Sequence, residues 1–150
     1  MESLFDIDCA QEMKQRLSRL TPEHPRLWGK MNAAEMLAHC SKGLQLAAGE
    51  ICPPRPMIGR ILGPIVKPMA LREGVPMRKN SPTVREFIIV EAGGFDSERT
   101  LLNARIGRFA AAGPAGCTAR PHPFFGRLTP DEWSMLMWKH LDHHLRQFGV

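Results

Sequence analysis

The sequence predicts an all-α protein, with four long helices and one long connector between the second and the third. Three observations carry that reading. Four stretches repeat apolar residues at helical spacing, two of them open on capping-box patterns, and 43% of the 150 residues are hydrophobic, enough for one core. The 23% charged fraction fits a folded chain, and one domain over residues 1–150 is expected.

Cys9, Met13, Leu17 and Leu20 recur at helical spacing and predict a first helix over residues 8–20, stopped by Thr21-Pro22. Asn32-Ala33-Ala34-Glu35 has capping-box spacing, with Asn in place of Ser or Thr, and opens a second helix. Met36, His39, Cys40, Gly43, Leu46 and Ala47 form its stripe, and the helix should end near Gly49. Residues 50–95 hold seven of the 13 prolines. Within them, residues 57–71 are apolar enough for one or two short helices broken at Pro64 and Pro68. Residues 84–90 (VREFIIV) are β-rich with no partner strand, so an extended segment is expected. So long a connector makes sense if the second and third helices run parallel and the chain must travel back along the bundle. That gives a four-helix bundle of up-down-down-up order.

The third helix should open at Asp96 and end at Gly113-Pro114, with Leu101, Leu102, Ala104, Ile106, Phe109 and Ala110 as its apolar side. A loop with Pro121, Pro123 and Phe124-Phe125 follows. Thr129-Pro130-Asp131-Glu132 then supplies an N-cap, a proline at the first helical position and a capping glutamate for a fourth helix reaching about Gln147.

Several functions are set aside at this point. There is no glycine-rich phosphate loop, no dinucleotide fingerprint and no G-x-S-x-G elbow. No run of about 18 apolar residues exists to span a bilayer, so no membrane partner is expected. The opening MESLFDIDCAQEMK is acidic and amphipathic, unlike a secretory signal, and a cytoplasmic location is expected. Cys9, Cys40, Cys52 and Cys117 form no C-x-x-C pair and are expected to be small core residues or free thiols.

The net charge of +5 is unevenly spread. Arg55, Arg60, Lys67, Arg72, Arg78, Lys79 and Arg85 are opposed only by Glu73, so residues 55–85 carry seven positive charges and one negative, a net +6. Such a segment is either a solvated face or an attractor of an anionic small molecule. Nucleic acid fits it poorly, since the segment has no aromatic residue for stacking and no helix-turn-helix accompanies it.

The histidines carry the chemistry. At 100° per residue, His140 and His144 lie about 40° apart on the fourth helix, along the edge of the stripe Trp133, Leu136, Met137, Leu141, Leu145 and Phe148. His39 has the same position on the second helix. A helical i, i+4 pair offers two imidazoles to one ion, and a third from a facing helix completes a set with a position left for water or substrate. Neutral imidazoles suit Zn, Ni, Cu or Fe. The plainer reading is that core histidines are satisfied by a carbonyl or carboxylate. Glu35, one turn before His39, is either a capping residue or a functional one, a hydrogen-bond partner behind a metal ligand or a general base beside bound water. Asp142 points away from the pair, toward solvent or a salt bridge. His143 is expected outside any metal set, in contact with a neighbouring helix or the rim of the site; Cys40 and the methionines are core, and His24 and His122 receive no role.

At these residues the sequence resembles the DinB-like superfamily. The run His140-Leu-Asp-His143-His144-Leu-Arg146-Gln147 is similar to that family's H-x-x-H-H-R-G-Q helix, with Leu145 before Arg146 and no glycine. Met36-Leu37-Ala38-His39-Cys40 resembles the segment bearing its first metal histidine, and HPFFGRLTPDEW resembles one branch known only as a domain of unknown function. The likeness covers residues 28–50 and 122–150; elsewhere it rests on helix order and the connector. It implies a four-helix bundle of up-down-down-up order and a divalent metal, Zn or Ni first, on His39, His140 and His144. It also implies a thiol-dependent S-transferase or isomerase activity using a low-molecular-weight thiol, with Arg146 a candidate contact to that cofactor. A homodimer is a further expectation. The competing expectation is a non-catalytic bundle that binds a metal or small molecule.

Overall fold

The computed structural model describes residues 2–81 and 85–150. It is all-helical, with five α-helices and no strand among the described residues. α1 spans Ile7–Arg19, α2 Ala33–Ala47, α3 Met57–Ala70, α4 Phe95–Ala112 and α5 Pro130–Gln147.

Local signals set the boundaries. The Asp6 carboxylate accepts from the Asp8 and Cys9 amides and caps α1, which opens at Ile7, one residue before the expected start. Both expected capping boxes are present: Asn32 with Glu35 on α2, and Thr129 with Glu132 on α5. α2 gives way to Gly49 at φ +76°, a left-handed turn that suits glycine. α4 starts at Phe95 without a side-chain cap, and Gly113 at φ +59° ends it.

α1 and α2 each pack against both α4 and α5. Met13 and Leu17 of α1, Met36, Leu37 and Leu44 of α2, Leu102 and Ile106 of α4, and Trp133 and Leu141 of α5 are buried between them. Burying such a side chain contributes about 1.5–3 kcal/mol. Leu101, expected on the inner side of α4, is instead 42% exposed. On α5, Asp142 is as expected a salt-bridge residue. Its carboxylate meets Arg16 of α1 at 2.7 Å and Arg146, one turn on, at 2.9 Å.

The connector departs most from expectation. Residues 57–70 form one helix running through Pro64 and Pro68. Each proline removes a backbone donor, but both are exposed, where water can take the carbonyls left over. The expected extended segment is instead a 3-10 turn at Arg85–Phe87, with the Ile88 amide closing on the Arg85 carbonyl at 3.1 Å. A lone strand would leave those groups unpaired. Val84, in the same expectation, lies outside the described residues.

Candidate metal centre

α2 and α5 turn three histidines toward one another. Ring centroids of His39, His140 and His144 lie 4.7 to 4.8 Å apart in all three pairings. One ligand nitrogen from each falls within 4.8 Å of the others. His39 and His144 are buried and His140 is partly exposed.

Two of their outer nitrogens are held. His39 Nδ1 lies 3.0 Å from the Phe87 carbonyl oxygen, which can only accept, so Nδ1 carries the proton and Nε2 faces the cluster with a lone pair. His144 Nδ1 lies 2.8 Å from Gln147 Oε1. The Gln147 amide is oriented in turn, because its Nε2 donates to the Trp28 carbonyl at 2.7 Å. Gly29 leaves room for that amide: a Cβ there would meet Gln147 Nε2, and its φ of +77° favours glycine. His39 Nε2 and His140 Nε2 are 2.9 Å apart. Without an ion, His140 Nε2 donates to the His39 lone pair. Gly43 on α2 lets the His140 ring stand this close, since a Cβ would lie 3.0 Å from its Nδ1.

Burial drives the electrostatics. It lowers the pKa of His39, takes His140 well below its usual value and brings His144 to about 3, with charge on the other histidines acting in the same direction on His140 and His144. All three are neutral near pH 7, the state in which imidazole is a metal ligand. The donor set therefore fits a divalent transition metal: three neutral imidazoles, two with the outer nitrogen fixed by an acceptor. Among the described residues no other His, Cys, Asp or Glu joins them, and three protein ligands leave coordination positions open.

The other candidates fall elsewhere. Glu35 Oε2 accepts the Asn32 amide at 2.8 Å in the capping box, and among the described residues no hydrogen bond joins it to the histidines. Arg146 is not brought to the cluster, because it projects from the reverse side of α5 and pairs with Asp142. His143 packs its ring against Trp28 at 5.6 Å and bonds the Met77 backbone, beside the cluster. Cys40 is fully buried against Met36, and burial pushes its thiol up. Sequence reasoning missed Phe87 and Gln147 as holders of the histidines, and it missed His122. Nδ1 of His122 accepts the Phe124 and Phe125 amides at 3.0 and 3.1 Å and shapes the loop before α5. Gln147 was within reach: three residues after His144, it shares a helix face with it.

An all-helical protein carrying a buried three-histidine cluster is the class that fold and site define. A family model matches residues 2–149, and the chain belongs to that family, DUF1569, described as a protein of unknown function. No curated protein and no solved structure matches the chain.

Proposed function

We propose that this protein is a DinB-like metalloenzyme, a four-helix bundle of up-down-down-up order in which His39, His140 and His144 hold a divalent transition metal. The observation that carries the reading is the fixed outer shell. Phe87 and Gln147 hold the outer nitrogens of His39 and His144, so the inner ones converge. Burial alone asks for partners at those outer nitrogens; it does not ask that three imidazole nitrogens meet within 4.8 Å of one another, as these do.

Bound there, the ion would act as a Lewis acid and lower the pKa of a thiol or water. The chain's own residues do the rest. The Phe87 ring stands edge-on to His39 and keeps water from that side. His140, the partly exposed member, marks the side from which a substrate enters. The net +6 of residues 55–85 draws in an anionic partner, and the carboxylates of a low-molecular-weight thiol suit it. The activity proposed is transfer of that thiol to an electrophile.

Elemental analysis of protein purified without a histidine tag, beside His144→Ala, tests the metal. Near-stoichiometric zinc or nickel, lost in the variant while helical content holds, is expected. Thiol consumption with an electrophile, abolished by a chelator, tests the reaction; turnover that persists in the metal-free protein sinks it.

One observation favours a second reading, a bundle with a structural metal and no catalysis. His39 and His144 are only 6% and 8% exposed. A metal that holds no exchangeable water would favour that reading.

A further inference from the structure

α3 is an amphipathic helix mounted with its apolar face outward. Met57, Ile58, Ile61, Leu62, Ile65 and Met69 are 40% to 72% exposed. At about 100° per residue they fall within roughly 140° of the helical wheel, an unbroken apolar face. The opposite face is fixed to the body of the protein. Gly59 and Gly63 are buried, and a Cβ on either would strike backbone: at Gly59 it would stand 2.8 Å from the Pro123 carbonyl oxygen, and at Gly63 it would meet the Phe124 carbonyl oxygen. Lys67 secures the same side, with its Nζ 2.8 Å from both Glu132 and the Arg127 carbonyl. The helix cannot roll its apolar face inward without leaving this seat.

Six exposed aliphatic side chains on one face need a covering. Charge decides which. Arg60 flanks the apolar face, Arg72 follows the helix, and both are exposed within the segment of net +6. Two copies meeting through α3 would bring their exposed Arg60 and Arg72 side chains together, and like charges oppose that contact. An anionic lipid surface is complementary in both respects. It accepts a projecting helix without a matching groove, and its headgroups pair with the flanking cations. We propose that α3 is an interfacial helix, which lays its outward face shallowly into an anionic membrane surface while the rest of the protein stays in water. The expectation of no membrane partner rested on the missing spanning helix, and a helix lying in the interface needs none.

Vesicle co-sedimentation of the full chain tests it, with phosphatidylcholine alone and with about one-third phosphatidylserine. Binding at least about tenfold tighter to the anionic vesicles, weakening as salt rises, is expected. Ile61→Asp with Ile65→Asp should abolish it, and Arg60→Glu with Arg72→Glu should reduce it about tenfold or more. All four side chains are exposed, so circular dichroism should show each variant folded. Three results would overturn the proposal: no association with anionic vesicles, association indifferent to the Ile61 and Ile65 changes, or a soluble dimer that those changes dissociate. The last would make a second copy the covering. None of these readouts depends on the metal.

Discussion

α5 and α3 are both amphipathic, and the protein turns their apolar faces in opposite directions. α5 buries its stripe, and its buried polar residues His144, Asp142 and Gln147 all have partners on other residues. α3 presents its stripe to solvent and sits on two glycines. Periodicity identifies a helix with one apolar face, but it does not say what that face meets. Backbone approach decides that for α3: only its glycine side can lie against residues 123–125. For α5 the decision lies with His144, Asp142 and Gln147, whose partners fix the orientation of the helix, although the buried indole nitrogens of Trp133 and Trp138 find none among the described residues.

If α5 is held by its polar partners, removing one should cost most. Asp142→Ala takes its 2.7 Å partner from Arg16, whose side chain is 13% exposed, and leaves it the Val150 oxygen at 3.0 Å and Glu12 at 3.7 Å. Urea unfolding should show a loss of about 3 kcal/mol, the low end for a broken buried pair because Arg16 keeps other partners, with bound metal per folded protein unchanged. A loss under about 1 kcal/mol would mean the pair acts like a surface bridge and does not anchor α5.

Gly63→Ala asks the matching question of α3. The clash is with a backbone carbonyl, so it cannot be relieved by a rotamer change. The cost should reach about 3 kcal/mol, the upper end for overpacking, or α3 should lift off. Limited proteolysis within residues 57–70 separates the two outcomes. Metal content should not change in either; a loss would mean that α3 and the histidines form one unit.

Gln147→Leu separates the polar partners of α5 by purpose. It leaves His144 in place but removes the acceptor at its Nδ1. Zinc affinity, measured by chelator competition, should fall about 10–100-fold. An unchanged affinity would show that His144 is oriented by packing alone.

Much of this was legible in the sequence, for reasons that particular residues make plain. Asn32 with Glu35 and Thr129 with Glu132 act within four residues, so both helix starts could be read directly. The spacing of His140 and His144 fixed one face of one helix. The rest depends on contacts distant in sequence. Phe87 reaches His39 across 48 residues and Trp28 reaches Gln147 across 119, and nothing local marks either pair. The prolines of α3 misled because a mid-helix proline loses a donor and crowds the carbonyl four residues before, which usually breaks or kinks the helix; here the helix continues through both, with the prolines on its exposed side. Arg146 was chosen from a motif, and its place on the reverse face of α5 follows from lying two residues past His144.

His122 joins the two regions and gives the subtlest test. Its loop seats α3 through Phe124, and its ring lies 5.5 Å from that of Trp133 on α5. Burial lowers its pKa to about 4, with Arg55 acting in the same direction. The unfolded chain binds the proton below about 6.5, while the folded protein refuses it until about 4. Stability from this residue is therefore full above pH 6.5 and lost as pH falls toward 4. By pH 5.5 the loss is about 1.4 kcal/mol. His122→Asn keeps an acceptor for the Phe124 and Phe125 amides but does not titrate. Its stability should fall less steeply than the parent's between pH 6.5 and 4, by about that amount at pH 5.5. The other histidines are common to both proteins and cancel in the difference. Parallel pH profiles would mean that His122 is hydrated in the folded state, and that the seat shared by α3 and α5 is more open to water than its packing indicates.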